Sequence, residues 1–193
     1  MNLADPIQQS FVALYGRPCW QAKRGYASFL TFEFGEPHLS VREPVEPKHA
    51  RSPNVRWILA KRNVTVHGDW HLWIYCCDWS IHVGGKRAAH MASKDRRIDQ
   101  ALAELDGQAL TSVRVDPSNS RSLFEFDVGG LLQTWPYNRD GEQWLLYEPS
   151  GYVLVVRADG TYSHYPGDIP PDQEQWLPLP DTAPEPNREE ATP

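Results

Sequence analysis

Seven side chains able to hold a metal crowd one short stretch: His67, His71, Cys76, Cys77, Asp78, His82 and His90 lie within 24 residues. Imidazole, thiolate and carboxylate together suit a borderline ion such as zinc. Strand alternation puts His71, Trp73, Tyr75 and Cys77 on one face, and a hairpin after Cys77 would return His82 beside them. His71, Cys77, Asp78 and His82 are therefore the candidate ligand set. The stretch contains neither Cys-x-x-Cys nor His-Glu-x-x-His. Small buried thiols on an aromatic strand, with histidines at its wet end, explain the same residues without an ion. The metal set is held as the alternative, and no metal or cofactor is expected.

A second candidate is a carboxylate pair. Glu33 and Glu125 each stand between two phenylalanines, Phe32 and Phe34 in one case, Phe124 and Phe126 in the other. Across a pseudo-dyad they could meet as acid and base, given unequal environments. The simpler expectation is that both face solvent from amphipathic strands. Gly84-Gly85-Lys86-Arg87 ahead of a helix would suit a phosphate, but it lacks the spacing and final hydroxyl of a nucleotide loop. No serine sits in a Gly-x-Ser-x-Gly elbow, and Cys19 has no assigned base. The chain shows no enzyme signature, and whether it catalyses anything stays open.

Charge narrows the partners. The net charge of −6 comes from positions 166–193, where seven acidic residues face only Arg188; positions 1–165 hold eighteen acidic and eighteen basic residues. A balanced body offers no general field for nucleic acid or an anionic membrane. The apolar runs near Trp57 and from Leu72 to Cys77 are too short to span a bilayer, and no basic segment leads into a long apolar one at the N-terminus. Three cysteines, two of them adjacent, make a poor disulfide framework. Reduced thiols and a cytoplasmic location are expected.

The positioning elements follow from periodicity. Asp5-Pro6 opens a helix over 5–15, with Ile7, Phe11 and Leu14 on one face and Gly16 as its stop. Alternation then predicts a hairpin from Ser28–Phe34 into Leu39–Arg42, a long basic loop over 44–62, and a second hairpin from Val64–His67 into Trp70–Cys77 with Trp79–Val83 after it. Ser93 is set to cap a helix bearing Ile98, Leu102 and Leu105, with Gly107 after it. Six strands follow between Leu110 and Tyr165, with glycine in the last four of the turns between them. Eight prolines among the last 28 residues argue against regular structure there, although Trp176-Leu177-Pro178-Leu179-Pro180 could dock as an extended segment. The fold class is α+β, mostly antiparallel sheet with two helices.

The features also recur. Ile7, Phe11, Leu14 and Gly16 fall on Ile98, Leu102, Leu105 and Gly107, and Phe32-Glu33-Phe34 on Phe124-Glu125-Phe126. Trp70 and Leu72 then meet Trp144 and Leu146, while Trp79, Ile81 and Val83 meet Tyr152, Leu154 and Val156. This order suggests a pseudo-twofold duplication of one helix plus about five strands, with halves at 1–90 and 91–165 and a tail over 166–193. The change of offset puts an insertion in the first half at 44–62.

Phe124-Glu125-Phe126-Asp127 running into a Gly-Gly-Leu hairpin, then Glu142-Gln143-Trp144, Pro149-Ser150-Gly151 and Asp159-Gly160, resembles small bacterial domains of unknown function, some suspected of being toxin-immunity proteins. The resemblance covers residues 100–163 and implies an antiparallel sheet with helices, without site residues. The leading expectation is a non-catalytic protein-interaction module, possible as a homodimer, with another protein as partner and neither membrane nor nucleic acid. Its candidate contacts are Arg51, Arg56, Trp57, Lys61 and Arg62 of the inserted loop with Trp73 and Trp79 beside it. The alternative is a small-molecule or metal-dependent enzyme with a cleft between the halves.

Overall fold

The computed structural model describes residues 5–46 and 52–180. Helix α1 (Pro6–Phe11) begins where Asp5 Oδ1 accepts from the Ile7 amide at 2.9 Å, and it buries Ile7 and Phe11. It is shorter than the 5–15 expected from its apolar face. Residues 12–16 continue as turns, because the Gly16 amide is taken by the Leu110 carbonyl at 2.8 Å rather than by the helix. Strand β1 (Cys19–Arg24) was hidden from periodicity by a bulge between Trp20 and Lys23, with Gln21 at φ 49°. Strand β2 (Leu30–Phe34) follows and pairs with it antiparallel.

The chain then leaves the sheet as an arm of β3 (His38–Arg42), α2 (Pro53–Leu59) and β4 (Asn63–His67), and returns as β5 (Trp70–Ile74). Neither expected hairpin exists in the form read from sequence. β3 pairs with β4, and β2 pairs with β5 so that Phe34 lies opposite Trp70. The glycine turns at Gly35 and Gly68 are the two sides of the arm's base. Asp69 Oδ2 accepts from the Glu36 amide at 2.9 Å, and a Cβ at Gly68 would collide with the Phe34 carbonyl, so only glycine lets the two sides close. Alternation identifies strands but not which neighbour each one chooses. The expected loop over 44–62 holds the helix α2, started by Pro53.

Strands β6 (Cys77–Val83) and β7 (Lys86–His90) form a hairpin over Gly84 and Gly85, both at positive φ. The Gly-Gly-Lys-Arg stretch thus leads into a strand rather than a helix, and the phosphate reading falls. Helix α3 (Asp95–Leu105) buries Ile98, Ala101, Leu102 and Leu105; its N-cap is Lys94, while Ser93 Oγ instead accepts from the His90 amide. Beyond it run β8 (Leu110–Asp116), β9 (Arg121–Phe126), β10 (Gly130–Pro136), β11 (Glu142–Tyr147), β12 (Tyr152–Arg157) and β13 (Thr161–Pro166), all six as expected. The tail is not wholly irregular: β14 (Leu177–Pro178) pairs with β13, and Leu179 reaches the core.

Three antiparallel sheets result: β1-β2-β5-β11-β12-β13-β14, then β7-β6-β10-β9-β8, and the two-stranded β3-β4 of the arm. The inner faces of the first two meet in one core, where Phe11 stands edge-on to both Phe124 and Trp144. The sequence halves interleave. The first puts β1, β2 and β5 in the larger sheet and β6 and β7 in the smaller; the second puts β8, β9 and β10 in the smaller and β11, β12 and β13 in the larger. No described helix is long and apolar enough to cross a membrane.

Candidate functional site

Along β2, Leu30, Phe32 and Phe34 point into the core, which turns Glu33 to the outer face of the larger sheet. Register makes His71 its neighbour on β5 and Tyr147 the next on β11, a row of three across the sheet. His67 arrives from the arm on β4. Nδ1 of His71 lies 2.8 Å from Glu33 Oε1 and Nδ1 of His67 lies 3.3 Å from the same oxygen, while the Gly68 amide donates to Oε2 at 3.0 Å. Beside a carboxylate each of these imidazole nitrogens carries the proton and donates. Thr65 Oγ1 meets the other nitrogen of His67 at 2.9 Å.

Glu33 is fully buried, against the expectation that it would face solvent; the arm covers the face it points to. Burial alone would push its carboxyl up. The His71 hydrogen bond, the Gly68 amide and the charges of His71 and His67 outweigh that and hold it below the ordinary carboxylate value. Between arm and sheet lies a cavity of about 720 Å³, bounded by His38, Ser40 and His67 on one side and by His71, Trp73, Tyr147 and Glu148 on the other.

The arm's two faces are unlike. Register pairs His38 with His67 and Ser40 with Thr65, and alternates these with Leu39 opposite Val66 and Val41 opposite Val64. Histidine and serine line the cavity, so the polar face looks at the body and the apolar face looks out. Leu39 is 68% exposed, Val41 50%, Val64 53% and Val66 37%. α2 buries none of its residues, and its Trp57 is 60% exposed. Arg42 donates to the carbonyls of Ile58, Leu59 and Lys61, which ties the end of α2 to the hairpin.

No family model, curated protein or solved structure matches this chain. Its function must therefore be read from geometry.

The residues expected from sequence scatter. Of the candidate ligands, His71 stands in the larger sheet, whereas Cys77, Asp78 and His82 belong to β6 of the smaller one, so that set does not assemble. Cys77 is buried in the core, its thiol donating to the Gln143 carbonyl, and His82 meets Ser80. Glu33 and Glu125 do not pair: Glu125 is half-exposed on β9 and is held by Ser112 and Arg114. Trp79 cannot touch a partner, being fully buried with its indole donating to the Ser28 carbonyl at 2.7 Å. Trp73 is partly buried in a small cluster on the outer face of the larger sheet and lines the cavity. Lys61 lies over the Trp57 ring at 3.5 Å, and Arg62 pairs with Glu43 at 2.8 Å. Arg56 sits on α2, and Arg51 lies outside the described residues.

Sequence reasoning named Glu33, His67 and His71 separately and did not join them. The shared outer-face position of Glu33 and His71 on adjacent strands was the available signal, but it needed the β2-β5 pairing that the intervening arm conceals.

Proposed function

We propose that this protein is a non-catalytic interaction module that grips another protein through the outward face of its arm, as a toxin-immunity protein would; some of the small bacterial domains of unknown function that its second half resembles are suspected of that role. The observation that carries this reading is the inverted hairpin. A two-stranded sheet attached to a larger body normally turns its apolar side inward; here Leu39, Val41, Val64 and Val66 face solvent together. A seven-residue helix that buries nothing has no packing to sustain it and gains from being covered.

The occupant is a partner with an apolar surface and an acidic rim. Between His38 and His67 the described residues hold four cations, Arg42, Arg56, Lys61 and Arg62, against Glu43 and Glu46. A second copy packed through the same face would bring together two arms of the same positive net charge, so a different protein fits better than a homodimer.

Internal duplication supports the same view of the arm. The exchange of strands between sheets runs in the same order in both halves, which moves the repeat by one strand from the register read in sequence: buried Trp79, laid there on Tyr152, matches buried Trp144 instead, on β6 and β11. β2 and β5 then correspond to β9 and β10. Between β9 and β10 the chain makes a tight turn of Asp127, Val128 and Gly129, where the first half carries the whole arm. The added segment is thus wider than 44–62, and an addition to a repeated scaffold is a natural place for recognition.

The test immobilises the wild type and the double variant Leu39→Asp/Val66→Lys, both confirmed to unfold cooperatively, and exposes each to native lysate and then to the purified captured protein. The wild type should retain a protein that the variant binds at least about 2 kcal/mol more weakly, on the order of thirtyfold. Equal binding by both, or self-association of the wild type through this face, would remove the reading.

A further inference from the structure

We propose that Glu33, His67 and His71 form a binding site for a divalent ion of the zinc class, at the joint between the arm and the larger sheet. One donor atom from each residue falls within 4.8 Å of the others. Two of the three edges, 2.8 and 3.3 Å from the imidazole nitrogens to Glu33 Oε1, are close to the separation of ligands about a tetrahedral ion, roughly 3.3 Å for bonds of about 2.0 Å. Those two edges need to shift by only a few tenths of an ångström to hold an ion, and the third, between the two imidazoles, lies within 4.8 Å.

The donor chemistry selects the ion. Two imidazoles and one carboxylate suit zinc, cobalt, nickel or iron rather than calcium or magnesium, which want oxygen. All three cysteines lie elsewhere and are free, so the site does not draw on the thiols. The outer partners are already in place. Thr65 Oγ1 meets His67 at the nitrogen away from Glu33, and the Gly68 amide fixes Glu33 Oε2, the two contacts that orient a ligating imidazole and carboxylate. Without metal the same imidazole nitrogens hold protons against the carboxylate, so ion and protons compete for one place.

Three protein ligands leave a fourth position, and His67 and His71 both border the cavity of about 720 Å³, so the open position faces a space able to take water or a small anionic ligand. The ligands come from β2, β4 and β5, so the ion would also clasp the base of the arm to the sheet. If Glu33 instead serves only to orient His71 as a base, or to anchor the arm, no ion will bind.

The decisive experiment strips the full chain with chelator and titrates it with cobalt and then zinc. One ion per chain is expected, with the visible absorption of low-coordinate cobalt and with ring resonances of His67 and His71 shifting together in the wild type. His67→Ala and His71→Ala, checked for folding by circular dichroism, should each weaken zinc by about 100-fold or more, and Thr65→Ala by about tenfold. The wild-type titration needs no variant, so a folding defect leaves the test intact. Absence of stoichiometric binding, or affinity unchanged in both histidine variants, would overturn the site.

Discussion

Glu33 shows how one side chain changes meaning when its surroundings are known. Flanked by phenylalanines it reads as the wet side of a strand; in the fold it is a fully buried carboxylate satisfied by two imidazoles and an amide. Its depressed pKa gives stability that is complete above the ordinary carboxylate value of 4.5 and is lost as pH falls through the lower, folded value. Glu33→Gln should therefore cost about 1.5–3 kcal/mol at neutral pH, measured by urea unfolding, and the gap to wild type should narrow in acid below that value. A gap that stays constant down to the acid limit would place the stabilisation in shape rather than charge. The thiols make a second residue-scale case. Burial, aided by the charge of Asp106, pushes Cys19 up to about 12, and burial likewise raises Cys77, while Cys76 is only partly covered. A thiol reagent at mild alkaline pH should modify Cys76 alone before unfolding and all three afterwards. Equal rates for the three would contradict the packing of β1 and β6.

At the scale of elements, the most legible parts were those whose partners are near in sequence. β8 to β13 are joined by short turns, all but the first holding glycine, each strand lies beside the next except where β10 passes to β11, and all six are legible from alternation. β1 was missed because its bulge interrupts alternation, and the pairing of β2 with β5 was missed because the arm lies between them. The same pairing brings Glu33 to His71, so the error in topology and the error in the site have one cause. Gly68 is where the arm closes. Gly68→Ala should force the Phe34 backbone aside and cost about 1–3 kcal/mol, and it should also raise amide exchange in β4 more than in β8. Uniform exchange throughout the chain would mean that the arm does not depend on that close approach.

For the whole molecule, two interleaved sheets share one core, and the arm is the part that the core does not explain. Its polar side closes a cavity and its apolar side has no partner among the described residues. The expected contact surface joined the loop over 44–62 to the neighbouring Trp70–Trp79 stretch, and of that stretch Trp79 is core. Large aromatic residues in a strand-rich chain are more often filling than recognition. The direct measurement is partner binding by a chain in which residues 35–69 are replaced by Asp-Val-Gly, the turn that joins β9 to β10, so that Phe34 still faces Trp70. This chain is expected to unfold in one cooperative transition and to retain none of the protein captured by the wild type. Undiminished capture by the armless chain would contradict the assignment of recognition to the arm.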